Sequence, residues 1–156
     1  MAQNAHGGSR PGVQPVALAA AGILLLVGVL GFVPGITTDY AAMRFAGRHS
    51  EAMLLGLFQV SVLLNILHLS SGLVGLALAR RIAGARAFLA VGGALYLGLW
   101  LYGFFIHRGS VANFIPVNDA DTWLHLAIGF GMLACGLLIS GQVGTGGRLD
   151  TPIDRP

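Results

Sequence analysis

The chain has no lysine, one cysteine and few charges of either sign: nine arginines and six acidic residues among 156, or 10% charged. A soluble domain carries about 25% charged residues, so this chain does not have enough to cover a water-facing surface. A soluble enzyme and a disordered protein are both excluded. The single thiol, Cys135, excludes an intrachain disulfide and with it a secreted disulfide scaffold. Motifs are lacking too: there is no H-E-x-x-H, no G-x-S-x-G and no P-loop. The arginines form no basic stripe, so the basic balance of +3 is a topology signal and does not point to nucleic acid.

Apolar residues make up 55% of the chain. They gather in runs long enough for the roughly 20 residues that cross a bilayer core of about 30 Å. Four runs qualify, at about 16–33, 55–79, 87–106 and 122–140, and each is expected to be a helix because lipid offers backbone groups no partner. The expected fold class is therefore all-α, a membrane four-helix bundle over 13–140. The flanking segments 1–12 and 141–156, rich in Gly, Pro and polar residues, are expected to be disordered tails. The first run exceeds the usual apolar length of a signal peptide and no A-x-A site directly follows it, so it reads as a retained helix. In the long second run, Glu51 to Gln59 is expected to project above the membrane or tilt.

Arg80, Arg81 and Arg86 lie in the short link between spans two and three, on the same side as Arg10, Arg148 and Arg155 of the tails. The other side has Arg44, Arg48 and Arg108, offset by Asp39, Glu51, Asp119 and Asp121. Positive-inside bias then puts both termini in the cytoplasm. Tyr96, Trp100, Tyr102, Phe104, Phe105 and Trp123 fit an aromatic belt on the outer side.

Spans two and four share the string L-H-L-x-x-G, at Leu67–Gly72 and Leu124–Gly129. This internal echo suggests two helical hairpins in parallel orientation. On span two, Ser61, Asn65, His68, Gly72, Gly75 and Ala79 recur at i+4 and i+3; on span four, Thr122, His125, Gly129, Met132 and Gly136 do the same. Span one offers Ala17, Ala21, Leu24, Gly28 and Gly31, and span three Gly93, Tyr96, Trp100 and Gly103. Stripes of small and polar residues belong at helix–helix contacts, so Gly72, Gly75, Gly129 and Gly136 are candidate packing positions. Asn65, His68, Asp121 and His125 are candidates for an outward-facing polar pocket, since intramembrane polar residues need interior partners. Asn118 or Asp119 caps the fourth helix, and Asp121, four residues before His125, is within reach of its imidazole.

Two readings of the histidines stay open. They bond to neighbouring helices as structural groups, or they act as a pair, as axial ligands of a haem b or as part of a metal or quinone site. Two ligands alone do not make a zinc site.

Five strings carry a resemblance: GFVPGITT (31–38), HSEAMLLGLFQVSVLLNILHL (49–69), ALARRIAGARAFL (77–89), YLGLWLYG (96–103) and ANFIPVNDADTWLHLAIGFGML (112–133). The chain resembles an actinobacterial four-helix membrane family, domain of unknown function 4383, most specifically through Asn118, Asp121, Trp123, Leu124, His125 and Leu126. The resemblance implies the four-span topology and the bacterial cell membrane, and no activity or ligand. The leading expectation is a non-enzymatic accessory or structural component in contact with the lipid bilayer, as a homo-oligomer or within a larger membrane complex. The alternatives are a small redox or cofactor-binding protein using His68 and His125, and an oligomeric transporter-like module.

Overall fold

A computed structural model describes residues 12–139 of the chain. The two tails expected to be disordered, 1–12 and 141–156, lie outside this range except for Gly12, as does Ser140. Four helices run antiparallel in sequence order: α1 (Val13–Leu30), α2 (Val62–Leu78), α3 (Ile82–Phe105) and α4 (Asp119–Leu138). The fold is an all-α bundle. α1, α3 and α4 are long and apolar enough to cross a membrane, and α2, with 17 residues, falls just short of them in length. The chain is a membrane protein by these helices.

The helices pack as two hairpins, α1 on α2 and α3 on α4, with lighter contact between them. Their faces have little side-chain bulk, so backbones meet. A Cβ on Gly93 would lie 2.6 Å from the Leu133 amide nitrogen, and one on Gly129 would lie 2.6 Å from that of Leu97. Gly72 meets the Ala21 carbonyl in the same way, at 2.9 Å. Close approach of this kind is how membrane helices gain packing energy when lipid tails are as apolar as their side chains. The buried faces are Val13, Ala17, Ala21, Leu24 and Gly28 on α1, and Leu64, Asn65, His68, Gly72 and Gly75 on α2. On α3 the buried stripe passes through Leu99, while Trp100 is half-buried and leans on Phe104 at 6.1 Å. Phe105 and Trp123 are largely exposed, at the end of α3 and near the start of α4.

The second helix differs from the sequence expectation of 55–79. It begins at Val62, and residues 53–59 form part of a small antiparallel sheet, β1 (Thr37–Thr38), β2 (Met53–Leu54) and β3 (Phe58–Gln59). Two causes are local. Leu55 (φ 55°) and Gly56 (φ 67°) turn the chain back on itself in the left-handed region, which a helix cannot accommodate. Ser61 then takes the N-cap position, its hydroxyl accepting from the Leu64 amide at 3.2 Å. The remaining first-turn amides of α2 are met from outside, Val62 by the Arg44 carbonyl and Leu63 by the Phe45 carbonyl. The segment at 34–51 contains a single 3-10 turn at Tyr40–Ala42 beside β1.

The sheet caps the bundle over the α1–α2 end. Ala52, Leu54 and Val60 form a small second core with Val27, Leu30, Ile36, Met43 and Phe58. Buried Ser50 holds it together, its hydroxyl donating to the Val60 carbonyl at 2.6 Å and accepting from the Arg44 amide at 3.1 Å.

Candidate functional site

α4 starts where Asn118 and Asp121 cap each other. The Asn118 side chain accepts from the Asp121 amide at 2.9 Å, and Asp121 Oδ2 accepts from the Asn118 amide at 3.0 Å. The same Oδ2 accepts from the Gln59 amide of β3 at 2.9 Å, and Asn118 Nδ2 donates to the Leu57 carbonyl at 2.7 Å. The cap therefore also ties the sheet to the second hairpin. Asp119 takes no part in this cap. It pairs in the open with Arg108.

This arrangement alters one expectation. Asp121 lies four residues before His125, and yet its carboxylate makes no hydrogen bond to the imidazole. Oδ2 is engaged by two fixed backbone donors, the Asn118 amide at the otherwise unpaired start of α4 and the Gln59 amide of β3. His125 Nδ1 is left without a partner among the described residues.

The structure brings His68 and His125 together. They lie six residues inside α2 and α4 respectively, a depth of about 9 Å along each helix, so the two rings share one level in the half of the bundle that carries the sheet. The ring centroids are 6.0 Å apart with a 23° interplanar angle. Tyr96 of α3 completes a triangle, 5.6 Å from His68 and 5.9 Å from His125. All three side chains are buried. The sequence places Tyr96 both in the aromatic belt and in the α3 stripe; the structure buries it fully, away from any belt, and its contact with both histidines depends on how the hairpins face each other, which spacing within one helix does not report.

Hydrogen bonding fixes the face His68 presents. Its Nδ1 is 2.8 Å from the Leu64 carbonyl one turn back, so that nitrogen carries the proton and donates. Nε2 is then a bare acceptor, buried and without a partner. Asn65, one turn above, is 1% exposed and its Nδ2 also lacks a partner. Gly31 makes room for it: a Cβ there would lie 2.6 Å from Asn65 Nδ2. The Tyr96 hydroxyl comes near Ser71 without making a hydrogen bond of normal geometry. Leaving such groups unpaired in an apolar interior is costly.

Asn65, His68, Asp121 and His125 all line one cavity of about 240 Å³ between α1, α2, α4 and the sheet. Its other walls are apolar, from Ile23 and Leu26 at one side to Leu54 and Phe58 under the sheet. Ile23, Leu26 and Leu55 on its edge are more than half exposed, so the cavity reaches the lipid-facing surface of the bundle.

The arrangement does not suit a haem between the two histidines. The Tyr96 ring centre stands about 5 Å from the midpoint of the imidazole pair, in the space the macrocycle of a bis-histidine haem would occupy. The cavity is also smaller than the roughly 300–1,000 Å³ of pockets that hold drug-sized molecules. No group of three His, Cys, Asp or Glu side chains is placed to hold a metal ion among the described residues. Of the candidate packing glycines, Gly75 faces the Phe88 and Ala21 side chains, while Gly72, Gly129 and Gly136 meet backbone of the neighbouring helix.

No curated protein and no solved structure matches the chain. A family model does match, over residues 14–138, which takes in all four helices, the sheet and the cavity. The chain therefore belongs to the family described as Domain of unknown function (DUF4383).

Proposed function

We propose that this protein is a non-enzymatic accessory component of the bacterial cell membrane whose outer half carries a small binding pocket formed by Asn65, His68, Asp121 and His125. Four spans cross the bilayer in this reading, with both termini cytoplasmic. Its support is the charge pattern: Arg80, Arg81 and Arg86 cluster at the α2–α3 link, while Arg108 at the opposite end is paired with Asp119.

One observation carries the binding role. Buried polar groups without partners, His68 Nε2 and Asn65 Nδ2, belong to side chains that line a cavity open to the lipid-facing surface. A purely structural polar node would be expected to close on itself, since each unpaired buried group costs about 1–3 kcal/mol. The hydrogen bonds at the site disfavour general-acid chemistry by His68 and Asp121. The proton of His68 is committed to its own helix, and Asp121 Oδ2 is committed to two amides. Neither group is poised to hand a proton to a substrate.

The test is native mass spectrometry of the full chain taken gently from its own membranes. The expected result is a stoichiometric small lipophilic adduct that is lost in Val27→Phe, which fills the cavity from α1. An unliganded wild-type chain would contradict the binding role. The same spectrum reads the assembly state, which on this proposal is a homo-oligomer or a larger membrane complex.

A further inference from the structure

The end of the bundle away from the sheet carries charge of one sign. Arg80 and Arg81, both exposed, form the link between α2 and α3, and Arg86 follows in the second turn of α3. Every carboxylate of the described residues, Asp39, Glu51, Asp119 and Asp121, lies at the other end, so no described acid is there to pair with these arginines. Gln14 Nε2 donates to the Ala79 and Arg80 carbonyls, both at 3.0 Å, and so answers the negative end of α2. α3 begins with no side-chain cap and no acidic residue in its first turn, and its positive end adds to the field of the arginines. Beside this link, α2 and α3 leave between them a groove of about 380 Å³. Leu67, Val74 and Leu78 line it on α2, and Ala87, Val91 and Leu95 on α3. Ser70 in its wall turns its hydroxyl back to the Leu67 carbonyl at 3.0 Å. Val74 and Val91 are more than half exposed, so the groove opens to lipid. An added Cβ on Gly84 would collide with the Leu78 carbonyl, so the link is pinned at the end of the groove. The groove runs about 17 Å along α2, from Leu78 to Leu67, and about 12 Å along α3, from Ala87 to Leu95. One leaflet of a hydrocarbon core of about 30 Å is about 15 Å deep.

We infer that the α2–α3 face binds an anionic glycerophospholipid, with its phosphate at Arg80 and Arg81 and one acyl chain along the groove. A guanidinium suits a phosphate because its fork of N–H donors matches the phosphate oxygens. A zwitterionic head brings an ammonium group that meets these arginines and no described carboxylate, so a head with net negative charge is preferred. A free phosphate would engage the arginines and make no use of the groove. A groove that starts at the arginines and is as long as one leaflet is deep joins the two halves into a single ligand. The site shares no lining residue with the cavity at the histidines and does not depend on it.

The full chain, delipidated in detergent, is titrated with dioleoyl phosphatidylglycerol, dioleoyl phosphatidylcholine and inorganic phosphate, and bound lipid is counted by native mass spectrometry. The phosphatidylglycerol is expected to bind about tenfold tighter than the phosphatidylcholine, the scale that one or two arginines near a membrane surface supply. Inorganic phosphate is expected not to displace it. Arg80→Gln combined with Arg81→Gln is expected to bring the ratio close to one. Arg44→Gln combined with Arg48→Gln, which removes the same charge at the other end of the bundle, is expected to keep it. Ala87→Phe leaves every arginine in place, narrows the groove and is expected to weaken both lipids alike. All these positions are exposed, so each variant keeps the packed interior. Equal binding of the two lipids to the wild-type chain would overturn the assignment, as would a preference that survives without Arg80 and Arg81. A preference lost equally in the Arg44 and Arg48 pair would reduce it to net charge and overturn the site. Displacement by inorganic phosphate, or unchanged binding in Ala87→Phe, would overturn the part given to the groove.

Discussion

His68 and His125, 57 positions apart in the chain, stack at 6.0 Å across the seam between the two hairpins. The echoed L-H-L-x-x-G strings put each histidine at the same depth and one turn before a close-packing glycine, so the same local design meets itself at the centre of the bundle. Tyr96 fills the third side. Four consequences can be measured.

The glycines at the α3–α4 contact are expected to be intolerant of bulk. Gly129→Leu would drive a side chain into the α3 backbone and lower stability by ~1–3 kcal/mol or more, read as a fall in the detergent unfolding midpoint. Gly98, on the same helix as Gly93, has nothing within 4 Å of an added Cβ. Gly98→Ala is therefore expected to be neutral or to stabilise by up to about 1 kcal/mol. Equal responses at the two positions would contradict the packing described.

Asp121→Ala removes one acceptor from two backbone amides on different elements. The expected result is faster hydrogen exchange at both Gln59 and Asn118, with a stability loss of about 1–3 kcal/mol. Exchange that changes at Asn118 alone would mean that the carboxylate does not hold the sheet to α4.

Tyr96→Phe separates the ring from its hydroxyl. The ring makes the contacts with both histidines, while the hydroxyl has no hydrogen bond of normal geometry. The substitution is expected to cost less than about 1 kcal/mol, whereas Tyr96→Ala is expected to cost about 3–5 kcal/mol through the cavity it leaves. A large loss in Tyr96→Phe would reveal a partner for the hydroxyl.

The orientation can be read with single cysteines in a Cys135→Ala background. Ala112→Cys on the α3–α4 loop is expected to react with a membrane-impermeant maleimide in intact cells. Ala83→Cys, at the start of α3, is expected to react only after lysis, because both sites are exposed and lie at opposite ends of the bundle. The reverse pattern would overturn the cytoplasmic termini.

The stripes were legible in the sequence because a 3.6-residue period and residue size act locally. The stripes from Ala17 to Gly28 on α1, Asn65 to Gly75 on α2 and Thr122 to Gly136 on α4 are buried along their length. Trp100 shows the limit of that logic. Its neighbour Leu99 takes the buried position, and the large ring stays at the aromatic-rich C-terminal end of α3. The start of α2 was hidden for a different reason. From Ala52 to Val60 the chain is nearly as apolar as a helix that spans lipid, and apolarity does not distinguish a sheet packed on Val27 and Leu30 from another turn of helix. The destination of Asp121 was not local at all, because the deciding donor is the amide of Gln59, 62 positions away.

The central claim is that His68, His125 and Tyr96 meet in the bundle interior at one level of the membrane. Solid-state NMR of the full chain labelled at histidine and tyrosine in lipid bilayers tests it most directly. The account predicts ring-to-ring cross-peaks linking His68, His125 and Tyr96, and no direct contact of either imidazole with the surrounding bilayer's acyl chains. Imidazole cross-peaks to the bulk acyl chains, with none between the two histidines, would contradict it.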